Sequence, residues 1–595
     1  MEIAYPNIQA LRKSMLAANV QACIIPSTDS HISEYTPDRW KTREWVSGFT
    51  GSAGTVVVTH SKAGLWTDSR YFLQAEAQLK NSGIDLFKTG LPETPDFSAW
   101  IASELSDGAC IGIEGEVFAA SETLSLLDFF TPKGLKINTD FAPYDSIWHN
   151  RPSLPAHPAF ILPEHFSGTS CRKKIGEMQE ALKKNNADMT ILASLDAIAW
   201  LFNIRGNDVD YNPVCLSYAV VSEKETVLFI RPEKTTQEVI DYLNREGVVL
   251  AEYEKIKDYI RQIPVGTKIL LSPSKINYCL YSAIPKTCKI VEVAVHPVES
   301  LKSIKNEIEI AGIRKAMQKD GVAMVRFLIW LEKAFNNKEK ITETDISAKL
   351  REFRSQQEFY AGESFETIAG YGPHGAIVHY AATAESDAEI LPEGVLLVDS
   401  GAQYFDGTTD ITRTISTGAV TDDMKRDYTL VLKGHIALAS ARFPKGTVGM
   451  QLDTLARQFL WQNGANYLHG TGHGVGHFLN VHEGPQSIRM NHNPVALEPG
   501  MLISNEPGLY RTGQYGIRIE NLILVIPFQT TESGDFYAFE TLTLCPIDTK
   551  LIDKALLSAE EKEWLNDYHR KVYEQLSPFL SEDEQKSYLC VACDL

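Results

Sequence analysis

The chain has 595 residues, 44% of them apolar and 22% charged, and a formal net charge of -19. That length implies three or four domains, and the apolar share is that of a folded globular protein. The acidity is spread without blocks of like charge, which disfavours nucleic acid as a partner. Residues 1–16 hold no apolar core of signal-peptide length, and no stretch approaches a membrane span. A cytoplasmic protein without membrane contact is therefore expected. Nine cysteines without framework spacing read as reduced thiols. Cys590 and Cys593 have no second pair to complete a zinc site, and read as an incidental tail pair.

In chain order, the first segment (1–151) contains QACIIPS, GTVVVTH and GLWTDSR, short β-branched runs that predict strands, and then the helix RYFLQAEAQLK. The prolines of 152–166 predict a linker. The second segment (167–298) opens on a helix with Ile175, Met178 and Leu182 on one face, followed by MTILASLDAIAWLF, LSYAVVS and TVLFIRP. Its strand, Ser/Asp break and following strand pair repeat the order of ACIIPSTDSHISEY and its successors, so two related α/β domains are expected. The third segment (299–547) starts with a long amphipathic helix and continues through Gly-punctuated strands. Residues 548–595 are helical and charged, an extension suited to a subunit contact.

The stretch HGTGHGVGHFLNVHEGP contains His469, His473, His477 and His482, the first three spaced as for a helical zinc clamp. Gly470, Gly472, Gly474 and Gly476 alternate with them, and each glycine costs a helix about 0.5–1 kcal/mol. The base glutamate of the helical motif is also missing. The glycines instead suit a backbone passing close to a ligand or to another segment.

Carboxylates lie elsewhere. VLLVDSG ends an apolar strand on Asp399, Asp406–Gly407 marks a turn, and DITRTI places Asp410 and Thr412 on one face. Glu506 ends LISNE before a Pro-Gly break. In YGIRIENLILVI, read as one strand, Arg518 and Glu520 point away from Ile517 and Ile519. Charges in so apolar a strand need partners or a metal; a cross-strand ion pair is the simpler reading. Asp399, Asp410, Glu506 and Glu520 together would carry about four negative charges, which two divalent cations would neutralise. One imidazole among oxygen donors suits Mn2+ or Co2+ better than Zn2+, which remains open.

This ordered set, with HGTGHGVG, FLNVHEGP, DGTTDITRT and GESFETIAGYGPHGAIVHY, resembles the pita-bread metallopeptidases. Within them it is similar to the aminopeptidase P (X-prolyl aminopeptidase) family in its three-domain cytosolic form. The close resemblance covers roughly residues 360–525, and looser likeness spans the chain. It implies two creatinase-like α/β domains before a pita-bread catalytic domain. It also implies hydrolysis of an N-terminal Xaa-Pro bond by hydroxide activated at two metal ions, and a homodimer. Asp399 would hold one metal alone, Asp410 and Glu520 would bridge, and His473 and Glu506 would complete the second site. Glu506 would also accept a proton. His379 and His482 would bind the scissile carbonyl and steady the tetrahedral intermediate. His469 would line the proline pocket, Arg518 would orient Glu506 or a neighbouring carboxylate, Tyr510 would support them, and Arg70 would reach the cleft. His374 and His477 match no role and read as partly exposed bystanders.

Three competing readings remain. Prolidase would cut only Xaa-Pro dipeptides. Methionine aminopeptidase shares the ligands but lacks two preceding domains. A non-catalytic binding module would keep the fold without the ligands.

Overall fold

The computed structural model describes residues 4–584 and Leu589. Cys590 and Cys593 lie outside the described residues, and the seven described cysteines are free thiols. Two compact units separate. One holds the described residues up to Glu164 with Thr169–Glu299; the other holds His165–Gly168 and the chain from Ser300 onward. Among the described residues no helix is long and apolar enough to cross a membrane.

The first unit contains two six-stranded sheets. In one, the strand Ala22–Ile25 pairs antiparallel with Thr55–Thr59, which pairs antiparallel with Ala63–Thr67, which pairs parallel with Asp85–Lys88. On its other side Ala22–Ile25 pairs parallel with Cys110–Gly112, which pairs parallel with Lys136–Asn138. The second sheet repeats every step. Met189–Leu192 is central, Ser217–Ser222, Thr226–Ile230 and Val248–Ala251 follow on one side, and Lys268–Leu271 and Lys289–Glu292 on the other, with the same directions. In each sheet a tight hairpin joins the second strand to the third, the central strand reaches its antiparallel partner through a longer connection carrying a helix, and helices cross over between the outer parallel strands. The expected relationship between the two domains is thus realised strand by strand.

The proline-rich stretch departs from a plain linker. Phe160–Ile161 pairs with Ile204–Arg205, and the Leu162 N–H donates to Asn203 O at 2.8 Å. Three of its four prolines precede these residues and Pro163 follows them, so the N–H groups of 160–162 are free to join a ladder.

The second unit opens on the helix Glu307–Asn336, capped by Asn306 in a capping box with Glu309. Three strands, Ile368–Tyr371, Val395–Ser400 and Ile411–Ser416, form one antiparallel sheet. A six-stranded sheet contains Gly472–Gly474, Leu502–Asn505 and Asn521–Thr531. The expected single strand through Glu520 is two strands. Tyr515–Arg518 pairs with Gly508–Arg511, whereas Asn521–Thr531 joins the six-stranded sheet. Ile519 and Glu520 form the joint between them, which lets a buried charge leave the apolar ladder.

The C-terminal helix Ala559–Leu576 packs within its own unit. Leu565, Tyr568, Val572 and Leu576 are buried in one core cluster with Val431, Ile517 and Leu544. At roughly 1.5–3 kcal/mol per buried side chain, this face stabilises its own unit.

Candidate metal centre

The carboxylates converge because strand ends from both sheets meet. Asp399 stands opposite Thr412 across the ladder, and Asp410 immediately precedes that strand on the same face. The chain turns between them at Asp406, with Tyr404 facing Gly407. Glu506 directly follows Leu502–Asn505, and Glu520 directly precedes Asn521–Thr531. These strands pair Asn505 with Asn521, so both glutamates leave the ladder at the same end. The Glu520 N–H donates to Thr412 O at 3.1 Å, and the Thr412 hydroxyl donates to Glu520 Oε2 at 2.7 Å, joining the two sheets.

His473 lies on the strand Gly472–Gly474, not on a helix. A Cβ on Gly472 would stand 2.0 Å from Ser504 O, on Gly474 2.5 Å from Glu483 O, and on Gly476 2.8 Å from Asn480 O. The glycines let this backbone run against its neighbours. The His473 Nδ1–H donates to Gly474 O at 2.9 Å, which leaves the Nε2 lone pair facing the acids. Nε2 lies 3.5 Å from Asp410 Oδ2 and 3.4 Å from Glu506 Oε1. Donor atoms of Asp410, His473 and Glu520 all fall within 4.8 Å of one another.

Arg518 binds Asp399, the neighbouring carboxylate of the two expectations. Its Nη2 donates to Asp399 Oδ2 at 2.7 Å and to Val378 O at 3.3 Å, and its Nη1 donates to Tyr510 OH at 2.7 Å. The Tyr510 hydroxyl lies 2.8 Å from His469 Nε2, while His469 Nδ1–H donates to Gly470 O at 2.7 Å. Asp399, Arg518, Tyr510 and His469 therefore form one chain of contacts. His379 follows Val378 and is held through that carbonyl. His482 sits edge-on to His473, with ring centroids 4.4 Å apart.

Of the two histidines without a role, His477 needs correction. His477 is buried, 2% exposed, and packs beside Gly312 of the long helix. His374 is partly exposed, but its Nδ1 lies 2.9 Å from Glu343 and its ring stacks on Tyr380. The buried Glu343 also accepts from the backbone N–H groups of Tyr371 and Ala388, so it ties both ends of the loop carrying His379. Arg70 is held in the first unit by Asp68, with Nη2 2.7 Å from Oδ2. Sequence reasoning missed Ser504, Asn505, Asn521, Arg413, His435 and Glu483. The one readable signal was an asparagine beside each of the two glutamates. The buried Glu483, next to His482, is clamped by Lys302 and Lys305.

The electrostatics favour bound cations. Burial pushes Asp399 up to about 6, with Arg518 opposing and Asp410 and Glu506 adding. Burial also lifts Glu520 well above the carboxylate range, and Asp410, Asp399 and Glu506 lift it further. Glu506 is raised by burial against the pull of His473 and Arg518. Burial lowers His473, but Asp410 and Glu506 overcome it and hold the imidazole up to about 9. Asp399 Oδ1 is buried without a hydrogen-bond partner. A buried orphan oxygen, mutually repelling acids and an inward imidazole lone pair fit divalent metal.

A pH dependence follows for chelator-treated protein. Asp399 is raised from 3.8 to about 6, so its contribution to stability is full at low pH and lost as pH rises to about 6. His473 is raised from 6.5 to about 9, so its contribution is lost between those values. Both slopes share a sign. The melting temperature of metal-free protein should fall from pH 5 to pH 9, and saturating Mn2+ should flatten the profile. Parallel loaded and metal-free profiles in a thermal scan would contradict this.

Residues 311–527 match the model of metallopeptidase family M24, and 535–594 match the C-terminal region of peptidase M24. Residues 7–132 and 150–309 match creatinase/prolidase N-terminal domains. A probable Xaa-Pro aminopeptidase P of Coprinopsis cinerea is 42% identical, covering 97% of this chain and 96% of that protein. One of Botryotinia fuckeliana is also 42% identical, covering 97% and 90%. The crystal structure of an X-prolyl aminopeptidase from Caenorhabditis elegans, described as a cytosolic enzyme with a di-nuclear active site, is 35% identical and superposes with a TM-score of 0.95 over 100% of both chains. Likeness of this degree over the full length, with the catalytic domain and both preceding domains matched, places the chain in the Xaa-Pro aminopeptidase P family of the M24 metallopeptidases.

Proposed function

We propose that this chain is a metal-dependent aminopeptidase that hydrolyses the first bond of peptides with proline second. The observation that carries this reading is the acid–imidazole cluster with its orphan Asp399 oxygen, set in a chain matched end to end by Xaa-Pro aminopeptidases P.

Asp399 would hold one divalent ion, Asp410 and Glu520 would bridge two, and His473 and Glu506 would complete the second position. Mn2+ suits this oxygen-rich donor set best, ahead of Co2+ and Zn2+. When bound, the ions supply hydroxide at neutral pH and polarise the scissile carbonyl. The protein's residues do the rest. Arg518 keeps Asp399 charged and aimed by donating to one of its oxygens and leaving the other free. Glu506, raised by burial above the ordinary carboxylate value, would accept a proton. His482 and His379 donate hydrogen bonds to the oxygen that gains charge in the transition state. An Xaa-Pro bond is a tertiary amide with no N–H, so the ring itself must be read. His469, fixed by Tyr510, would line that pocket.

A peptide panel tests the reading against prolidase. The protein with Mn2+ should cleave Xaa-Pro-Xaa tripeptides efficiently. Activity confined to Xaa-Pro dipeptides would overturn it.

A further inference from the structure

Beneath the acids lies a buried polar layer that the proposed reaction does not use. His435, on the helix Asp422–Ala439, is fully buried. Its Nδ1–H donates to Asn505 O at 3.1 Å, and its Nε2 accepts from the Asn521 side-chain amide at 3.1 Å. Its own carbonyl accepts from Asn505 Nδ2 at 2.9 Å. Asn505 and Asn521 are ladder partners, and the next residue outward on each strand is Glu506 or Glu520. One imidazole thus spans the two strand ends that aim both glutamates. Burial lowers its pKa to about 3, so the ring stays neutral and keeps one donor and one acceptor.

Arg413 extends the layer. Its guanidinium donates to Glu520 O at 2.7 Å, Asn521 Oδ1 at 2.8 Å, Thr412 O at 2.9 Å and Tyr568 OH at 2.9 Å. It therefore grips the backbone of Glu520, the strand after Asp410, and the C-terminal helix. Among the described residues it makes no ion pair, so its work is to fix carbonyls and amides in place. Buried polar networks so densely bonded favour a single geometry, although Asn505 Oδ1 is buried without a partner.

Resting on the reading of the acids as a two-metal centre, we infer that His435 is a positioning residue. With Asn505, Asn521 and Arg413 it fixes the separation of Glu506 from Glu520, and Tyr568 of the C-terminal helix completes this clamp. Residues that orient metal ligands typically alter affinity by about 10–100-fold.

The test is Mn2+ titration of metal-free full-length protein by calorimetry, together with the electron paramagnetic resonance spectrum of the loaded pair. Wild type should bind two Mn2+ ions. His435→Ala should weaken at least one by about tenfold and change the exchange coupling visible in the spectrum. His435→Gln, which retains a donor and an acceptor, should restore most of both. Tyr568→Phe should shift affinity in the same direction by less, and decides the matter if His435→Ala does not fold. Wild-type affinities and spectra in the variants would overturn the clamp while leaving the enzyme assignment intact. A wild-type chain that takes up no Mn2+ would overturn both.

Discussion

His473→Ala should lower kcat/KM on an Xaa-Pro tripeptide by about 10³-fold, the several kcal/mol that a bound Lewis acid contributes. The loss should come with loss of one of the two ions, because His473 alone among the donors presents an imidazole lone pair toward Asp410 and Glu506. His482→Ala should behave differently. Its ring packs edge-on against His473 and, in the proposed reading, would act on substrate, so both ions should remain. Turnover should still fall by roughly 10²–10⁴-fold, as for loss of a positioned proton donor. Metal analysis of the two purified variants separates the roles. Equal metal loss in both would refute the division.

Arg518→Leu should have the largest effect on stability. The guanidinium, 1% exposed, gives Asp399 its cation and Tyr510 its donor. Removing one partner of a buried ion pair typically costs about 3–5 kcal/mol, because the other charge is left uncompensated. The cost should appear in metal-free protein. Mn2+ should recover a large part of it, since the ions would take over the charge of Asp399. Arg518→Lys should not rescue, because a single ammonium cannot reach Asp399, Val378 O and Tyr510 together. An identical loss of melting temperature with and without metal would show that Arg518 serves packing alone.

Much of the site was legible because its residues break local rules. Asp399 closes an apolar strand, Glu506 and Glu520 interrupt others, and four glycines in alternation rule out the helix that three evenly spaced histidines invite. Ordered along the chain, these irregularities carried the family resemblance. The supporting residues were not legible, for a physical reason. His435 lies in an ordinary amphipathic helix, and Arg413 in an alternating strand. Their importance comes from partners across long sequence separations, which no local pattern records. The same limit explains His477, judged peripheral although it is buried, and the strand through Glu520. Its apolar run looks continuous, yet the chain changes sheets there. In the N-terminal unit the strand order was readable in outline, because both domains repeat the same local pattern.

The bond from Arg413 to Tyr568 spans 155 residues, and that from Arg518 to Asp399 spans 119. Contacts of such high sequence separation form late, since loop-closure entropy opposes them until much of the chain is already ordered. During synthesis the strand bearing Arg413 leaves the ribosome long before the helix bearing Tyr568. A nascent chain therefore carries all its acidic and histidine donors before it can arrange them. Recovered peptide cleavage should therefore be a stringent readout of complete refolding after denaturation, because the proposed site depends on these long-range contacts.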